Sequence, residues 1–302
     1  MREIASGLRF PEGPVVYEDG GVILVEIARG TLSRVTPKGR IEVIAELGGG
    51  PNGAAAGPDG AIFVCNNGGF DWHEVDGLLF PGRQPKTYSG GRIERVDPAT
   101  GKAEVLYTEC DGVRLRGPND LVFDDHGGFY FTDLGKSRPH EIDIGRLYYA
   151  RADGSAIRLC AEGLTTPNGT GLSPDGSTVY VAETQTGRLW KFPVLSPGVL
   201  QLQHGWAPGT LVAGLPGYQL LDSMAVEAGG NICVATLANG GITVFAPGGA
   251  VVEHVPFPDL LTTNIAFGGP GLKTAYVTLS STGRLVSVDW PRAGHSLRYL
   301  NR

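Results

Sequence analysis

The chain has 302 residues, with 25 Lys+Arg against 31 Asp+Glu, a formal net charge of −6 and no basic run, which argues against nucleic acid or an anionic membrane surface as a partner. No apolar stretch approaches the roughly 20 residues of a membrane span. Hydrophobic residues at 41 % suffice for a sizeable core, and 47 glycines scattered without a triplet period mean many tight turns rather than collagen or disorder.

The N-terminal MREIASGLRF lacks an apolar signal core and a cleavage pattern, so a cytoplasmic location is the default expectation. A first unit follows, PEGPVVYEDGGVILVEIARGTLSRVTPKG: an apolar run, a turn, a second run, a short link and a third run. The same opening recurs in PNGAAAGPDGAIFVCNNGG, PNDLVFDDHGGFYFTDLG, PNGTGLSPDGSTVYVAETQTGRLWKFPV, LDSMAVEAGGNICVATLANGGITVFAPGG and TTNIAFGGPGLKTAYVTLSSTGRLVSVDW, making six copies. Their turns EDGG, GPDG, DDHGG, SPDG, EAGG and GGPG are built from residues that accept or fix turn dihedrals. The runs VILVEI, AIFVCN, GFYFTD, TVYVAE, NICVAT and TAYVTL are β-branched and aromatic, as strands require.

Fourth strands are visible as IEVIAEL, AEVLYTE, AIRLCAE and TLVAGL, and no stretch of ten residues has a helical period. Four short strands per unit, repeated every 40 to 50 residues or so, predict an all-β six-bladed β-propeller spanning residues 1–302 as one unit. REIASGL at residues 2–8 is placed to complete the last blade and close the ring, with the C-terminal SLRYLN as its competitor. Cys65, Cys160 and Cys233 fall within strand-like runs and Cys110 just after one; without a C-x-x-C pair they read as buried free thiols.

Aligning the units on their first strands puts Glu12, Asn52, Asn119, Asn168, Asp222 and Asn264 in phase. Each alone is an ordinary turn residue. Together they predict a ring of oxygen ligands at the mouth of the central channel. A second set, Glu26, Asn66, Asp133, Glu183, Thr236 and Thr278, lies 14 residues further on (15 in the fourth unit) and should sit at the same end. Two carboxylates among carboxamides form a hard donor set suited to one divalent ion: calcium, magnesium or manganese, with zinc and iron also compatible.

Around these residues the sequence resembles the senescence-marker-protein, gluconolactonase and luciferin-regenerating-enzyme family, through FPEGPVV, RGPNDLVFDDHGGFYFTD, PNGTGLSPDG and the Asp222 segment. The resemblance implies a divalent metal in the channel, held by Glu12, Asn168 and Asp222, with Asn119 on the substrate side. It also implies hydrolysis of a small lactone. One departure stands out: the family often has Pro-Asp-Gly at the fifth-blade site, where this chain reads LLDSMAV. Asn52 and Asn264 match nothing in the family pattern.

On this reading the metal polarises the lactone carbonyl and activates water, and Asp222 is both ligand and general base, with Asp120 as the alternative base. Asn119, Asp120, Asn52, His73 and Tyr88 are the expected substrate-binding residues. The long links NGGFDWHEVDGLLFPGRQPKTYSGG and LGKSRPHEIDIG are candidate lids, bringing Trp72, His73, Arg83, Tyr88, Lys136, Arg138 and His140 toward substrate. No G-x-S-x-G elbow occurs, and none of the histidines (73, 126, 140, 204, 254 and 295) occupies a ring position, so serine catalysis fits poorly. The competing readings are another esterase or organophosphatase on the same fold, and a non-enzymatic metal-stabilised binding platform.

Overall fold

The computed structural model describes residues 1–203 and 205–301 and is all-β, with two single-turn 3-10 segments, Pro58–Gly60 and Pro270–Leu272. His204, one of the six histidines considered above, lies outside the described residues. Among the described residues six antiparallel sheets of four or five strands follow one another along the chain, with three two-stranded ribbons in the links. Their innermost strands are Pro11–Val16, Pro51–Ala56, Pro118–Phe123, Pro167–Leu172, Leu220–Val226 and Thr262–Gly268. Each contacts the next, and the sixth contacts the first, which closes a six-bladed β-propeller around a central channel.

Blade six is completed by the N-terminus: Arg2–Ser6 pairs antiparallel with Arg284–Asp289. The C-terminal segment therefore does not close the ring. It crosses the far mouth of the channel instead, where His295 N bonds Val226 O at 2.8 Å and the Tyr299 ring meets Phe123 edge-on at 5.2 Å. Between blades the filling is apolar and aromatic. Phe63 packs edge-on against Phe123 at 5.0 Å and near Phe129 at 5.5 Å. Each such buried ring contributes about 1.5–3 kcal/mol of transfer free energy. All four cysteines are free and buried in these layers.

Glycine directly after the ring residue is what lets the inner strands approach. A Cβ on Gly13 would lie 2.5 Å from Ala54 N in the next blade, and one on Gly169 would lie 2.5 Å from Asp222 O. Gly53 is in the same position against Asn119 O. The Pro-(Glu/Asn)-Gly triplets thus combine a side chain for the channel with a bare backbone for the neighbouring blade.

Candidate functional site

A cavity of about 720 Å³ opens at one end of the channel, lined from all six blades: Glu12, Asn52, Asn119, Asn168, Asp222 and Thr263. Five are the residues expected from the alignment. The sixth blade is displaced by one residue. In the other blades the residue before the ring position pairs with the second-set residue, as Pro11 does with Glu26 and Pro118 with Asp133. Here Asn264 itself pairs with Thr278. The pleat then turns Thr263 into the cavity, while Asn264 lines a second cavity of about 500 Å³ at the opposite mouth.

The second set sits at the expected end, but in the first four blades its acceptors are turned to the backbone, and in the last two Thr236 and Thr278 bond the hydroxyls of Thr243 and Thr263. Glu26 takes Arg9 N at 2.8 Å, Asn66 takes Gly50 N at 2.9 Å, Asp133 takes Gly117 N at 2.6 Å and Glu183 takes Thr165 N at 2.6 Å. Each donor lies one or two residues before its own blade's inner strand. This repeated clamp fixes where that strand enters, and so where the ring residue points.

Glu12 Oε2 accepts Gly13 N at 2.8 Å and Asn264 Nδ2 at 2.6 Å. Burial pushes the Glu12 carboxyl up to about 7 against those hydrogen bonds. Asp222 is held well above the usual carboxylate range, first by burial and then by the Glu12 charge. The Asn168 amide is oriented by donation to Thr184 Oγ1 at 3.1 Å and by Ser223 Oγ at 3.5 Å from its Oδ1. Asn119 Oδ1 and Trp190 Nε1 are the buried side-chain polar atoms left without a hydrogen-bond partner among the described residues.

Two buried carboxylates, with Glu12 raising the proton affinity of Asp222, fit a divalent cation, and the Asn119 amide oxygen with no donor is left for a bound ligand. Among the described residues no group of three or more His, Cys, Asp or Glu is placed to hold a metal.

The other expected residues are distributed differently. Asn52 lines the cavity with its amide already committed: Oδ1 accepts Asn67 Nδ2 at 2.9 Å and Nδ2 donates to Asn119 O at 3.4 Å. Asp120 faces the second cavity, its carboxylate accepting Leu121 N and Thr170 N; burial, then Glu12, pushes it up to about 8. His73 is exposed on a hairpin, Trp72–Val75 with Leu78–Pro81, that forms where a long loop was expected. Tyr88 donates to Arg116 O at 2.6 Å and packs on Gly68. Neither is among the cavity-lining residues. The same hairpin delivers Phe80 and Pro81 to the rim, and the blade-three link delivers Lys136, Ser137 and Ile142. His126 lines the opposite cavity.

Residues 10–281 match the family described as SMP-30/gluconolactonase/LRE-like. The chain belongs to this family. A gluconolactonase of Zymomonas mobilis is 28 % identical over 304 residues, covering 92 % of this chain and 78 % of its own. The lactonase drp35 of Staphylococcus saprophyticus is 27 % identical over 250 residues, covering 82 % and 69 %. The solved structure of a calcium-binding protein, regucalcin, from Agrobacterium tumefaciens superposes with a TM-score of 0.75 at 19 % identity, over 98 % of this chain and 94 % of that one, a likeness of fold. Among the described residues of this member, no helix is long and apolar enough to cross a membrane.

Proposed function

We propose that this family member is a divalent-metal-dependent lactonase, opening a small lactone to its hydroxy acid. The observation that carries the reading is the pairing of buried Glu12 and Asp222 with the partnerless Asn119 Oδ1 in one cavity. Relatives named gluconolactonase and lactonase support the reaction class. Glu12, Asn168 and Asp222 would hold the cation; calcium is the first candidate, since the ligands are oxygens and a fold relative is described as calcium-binding. When bound, it supplies Lewis-acid polarisation of the acyl carbonyl and acidifies an attacking water.

The protein's own groups divide the remaining work. Asp222 takes the proton of the attacking water, because burial and the neighbouring Glu12 raise its proton affinity. Glu12 is less free for that role, with Oε2 engaged by Gly13 N and Asn264 Nδ2. Asn119 Oδ1 accepts a hydrogen bond from the substrate side. Water oxygen bonds to the acyl carbon, the ring C–O bond breaks, and the departing alkoxide receives the proton. Phe10, Phe70, Phe80 and Leu261 line the same cavity and limit bulk water.

The test is pH-stat hydrolysis of a lactone panel by chelator-stripped protein, with and without calcium, manganese, zinc or ferrous iron. Metal-restored turnover is expected. Metal binding without turnover of any lactone would move the assignment to a metal-stabilised binding platform.

A further inference from the structure

Lys136 follows the second strand of blade three and is 1 % exposed, yet it lines the ring cavity. Its Nζ donates to Gly69 O at 2.7 Å and Asn67 Oδ1 at 3.1 Å, and lies 4.2 Å from the Phe70 ring centroid and 5.5 Å from that of Tyr88. An ammonium carries three N–H donors, so one is left over.

Among the described residues no carboxylate forms a contact ion pair with this ammonium; Asp133 and Asp143 attract it only through space. The nearby acids are committed elsewhere: Asp133 accepts the backbone N–H groups of Arg116, Gly117 and Gly135, while Asp143 pairs with Arg138 and accepts the backbone N–H of Lys136. A buried charge without a contacting counter-ion is costly, and burial pushes the amine down to about 7 against the attraction of Asp133 and Asp143. A tie between two loops needs only a neutral donor. The faces of Phe70 and Tyr88 instead favour the cationic form. Lys136 is the sole cationic side chain among the described lining residues, and Glu12 with Asp222 already balances a divalent ion.

Resting on the lactonase reading, we infer that Lys136 is a substrate-recognition residue and that this cavity takes lactones bearing a free carboxylate, one oxygen of which accepts its remaining N–H. A carboxylate fits better than a phosphate. One ammonium with one free donor offers a point contact, whereas phosphate dianions are held by arginine forks or several donors, and no arginine lines the cavity.

The experiment compares kcat and KM of the calcium-loaded protein on γ-butyrolactone and γ-carboxy-γ-butyrolactone. It also measures calorimetric binding of 2-hydroxyglutarate, the ring-opened product of the second. Wild type is expected to prefer the carboxylated lactone at least tenfold in kcat/KM, through KM. Lys136→Met should abolish that preference and weaken 2-hydroxyglutarate binding tenfold or more. Equal use of the two lactones, or a preference for the neutral one, overturns the inference without any variant, so the result survives if Lys136→Met does not fold. Failure to turn over either lactone with any metal counts against the lactonase reading instead; the effect of Lys136→Met on 2-hydroxyglutarate binding then decides the role of Lys136, and unchanged binding refutes it.

Discussion

Asn264 Nδ2 donates to Glu12 Oε2 at 2.6 Å, joining residues 252 positions apart where the last blade meets the first. The bond orients a carboxylate that also accepts Gly13 N. Groups that orient a metal ligand typically carry 10- to 100-fold of metal affinity, roughly. Asn264→Ala should therefore weaken calcium binding by about that factor in calorimetry, with the far-ultraviolet circular dichroism unchanged. Wild-type affinity in that variant would show that Asn264 serves only the seam between the blades.

Metal-free protein should lose stability as pH rises from about 4.5 toward 7. Burial lifts Glu12 from 4.5 to about 7, lifts Asp222 well above 3.8, and with the Glu12 charge lifts Asp120 from 3.8 to about 8. In that window the folded state keeps protons that the unfolded chain has shed, so stability present below the unfolded pKa values is lost through the folded ones. Lys136 acts in the opposite sense only above about 7, where the unfolded chain binds more protons than the folded protein. Thermal scans of chelator-treated protein should show a falling Tm from pH 5 to 7, largely restored by saturating calcium. A Tm that rises over this range without metal would contradict the assigned burial of these acids.

Asp133 illustrates the clamp in its fullest form, accepting Arg116 N at 2.7 Å, Gly117 N at 2.6 Å and Gly135 N at 2.9 Å. Asp133→Ala strands three donors, and each unsatisfied buried group costs about 1–3 kcal/mol. The expected loss is on the order of 3 kcal/mol or more in urea unfolding, with lactone turnover falling as the blade-three ring residue loses its fixed entry. A loss below about 1 kcal/mol would mean water replaces the clamp.

The six blades were legible because their signals are local: turn residues, alternation and β-branched runs fall within each unit. The ring was legible in five blades, where an acid or amide stands at the start of the inner strand, followed in three of them by glycine. In blade six, TTNIAF offers adjacent polar residues, and only strand register decides that Thr263 rather than Asn264 enters the cavity. Asp120 was misplaced for a related reason: its neighbour Asn119 faces one cavity, and the strand carries Asp120 on toward the other. The second set was found by its spacing, but spacing does not reveal that in four blades its oxygens accept backbone N–H groups. Lys136 was one name among seven loop residues. Its distinction comes from Asn67, Gly69 and Phe70 of the preceding blade, a juxtaposition that no local pattern encodes.

The close approach of the inner strands makes its own prediction. A methyl group at Gly53 would collide with the Asn119 carbonyl, whereas Gly229 has open space around it. Gly53→Ala should cost about 1–3 kcal/mol by overpacking and raise KM for the lactone, because the blades carrying Asn52 and Asn119 must separate. Gly229→Ala should fall within about 0.5 kcal/mol of wild type. Equal effects on unfolding midpoints would show that inner-strand spacing does not limit the ring.

Glu12→Gln and Asp222→Asn separate the site's function from the fold's stability. Both side chains are buried, and Asp222 is disfavoured as an anion by burial and by Glu12. Neutral isosteres remove that repulsion and desolvation while keeping side-chain volume. At pH 8 without metal each variant should therefore melt above wild type, as expected where binding groups are held at a cost to stability. With calcium the order should reverse, since wild type gains stability through binding and the variants gain little. Calorimetry should show calcium binding abolished or reduced by orders of magnitude in both. Full metal occupancy in both variants would remove Glu12 and Asp222 from the ligand set, and with them the proposed base.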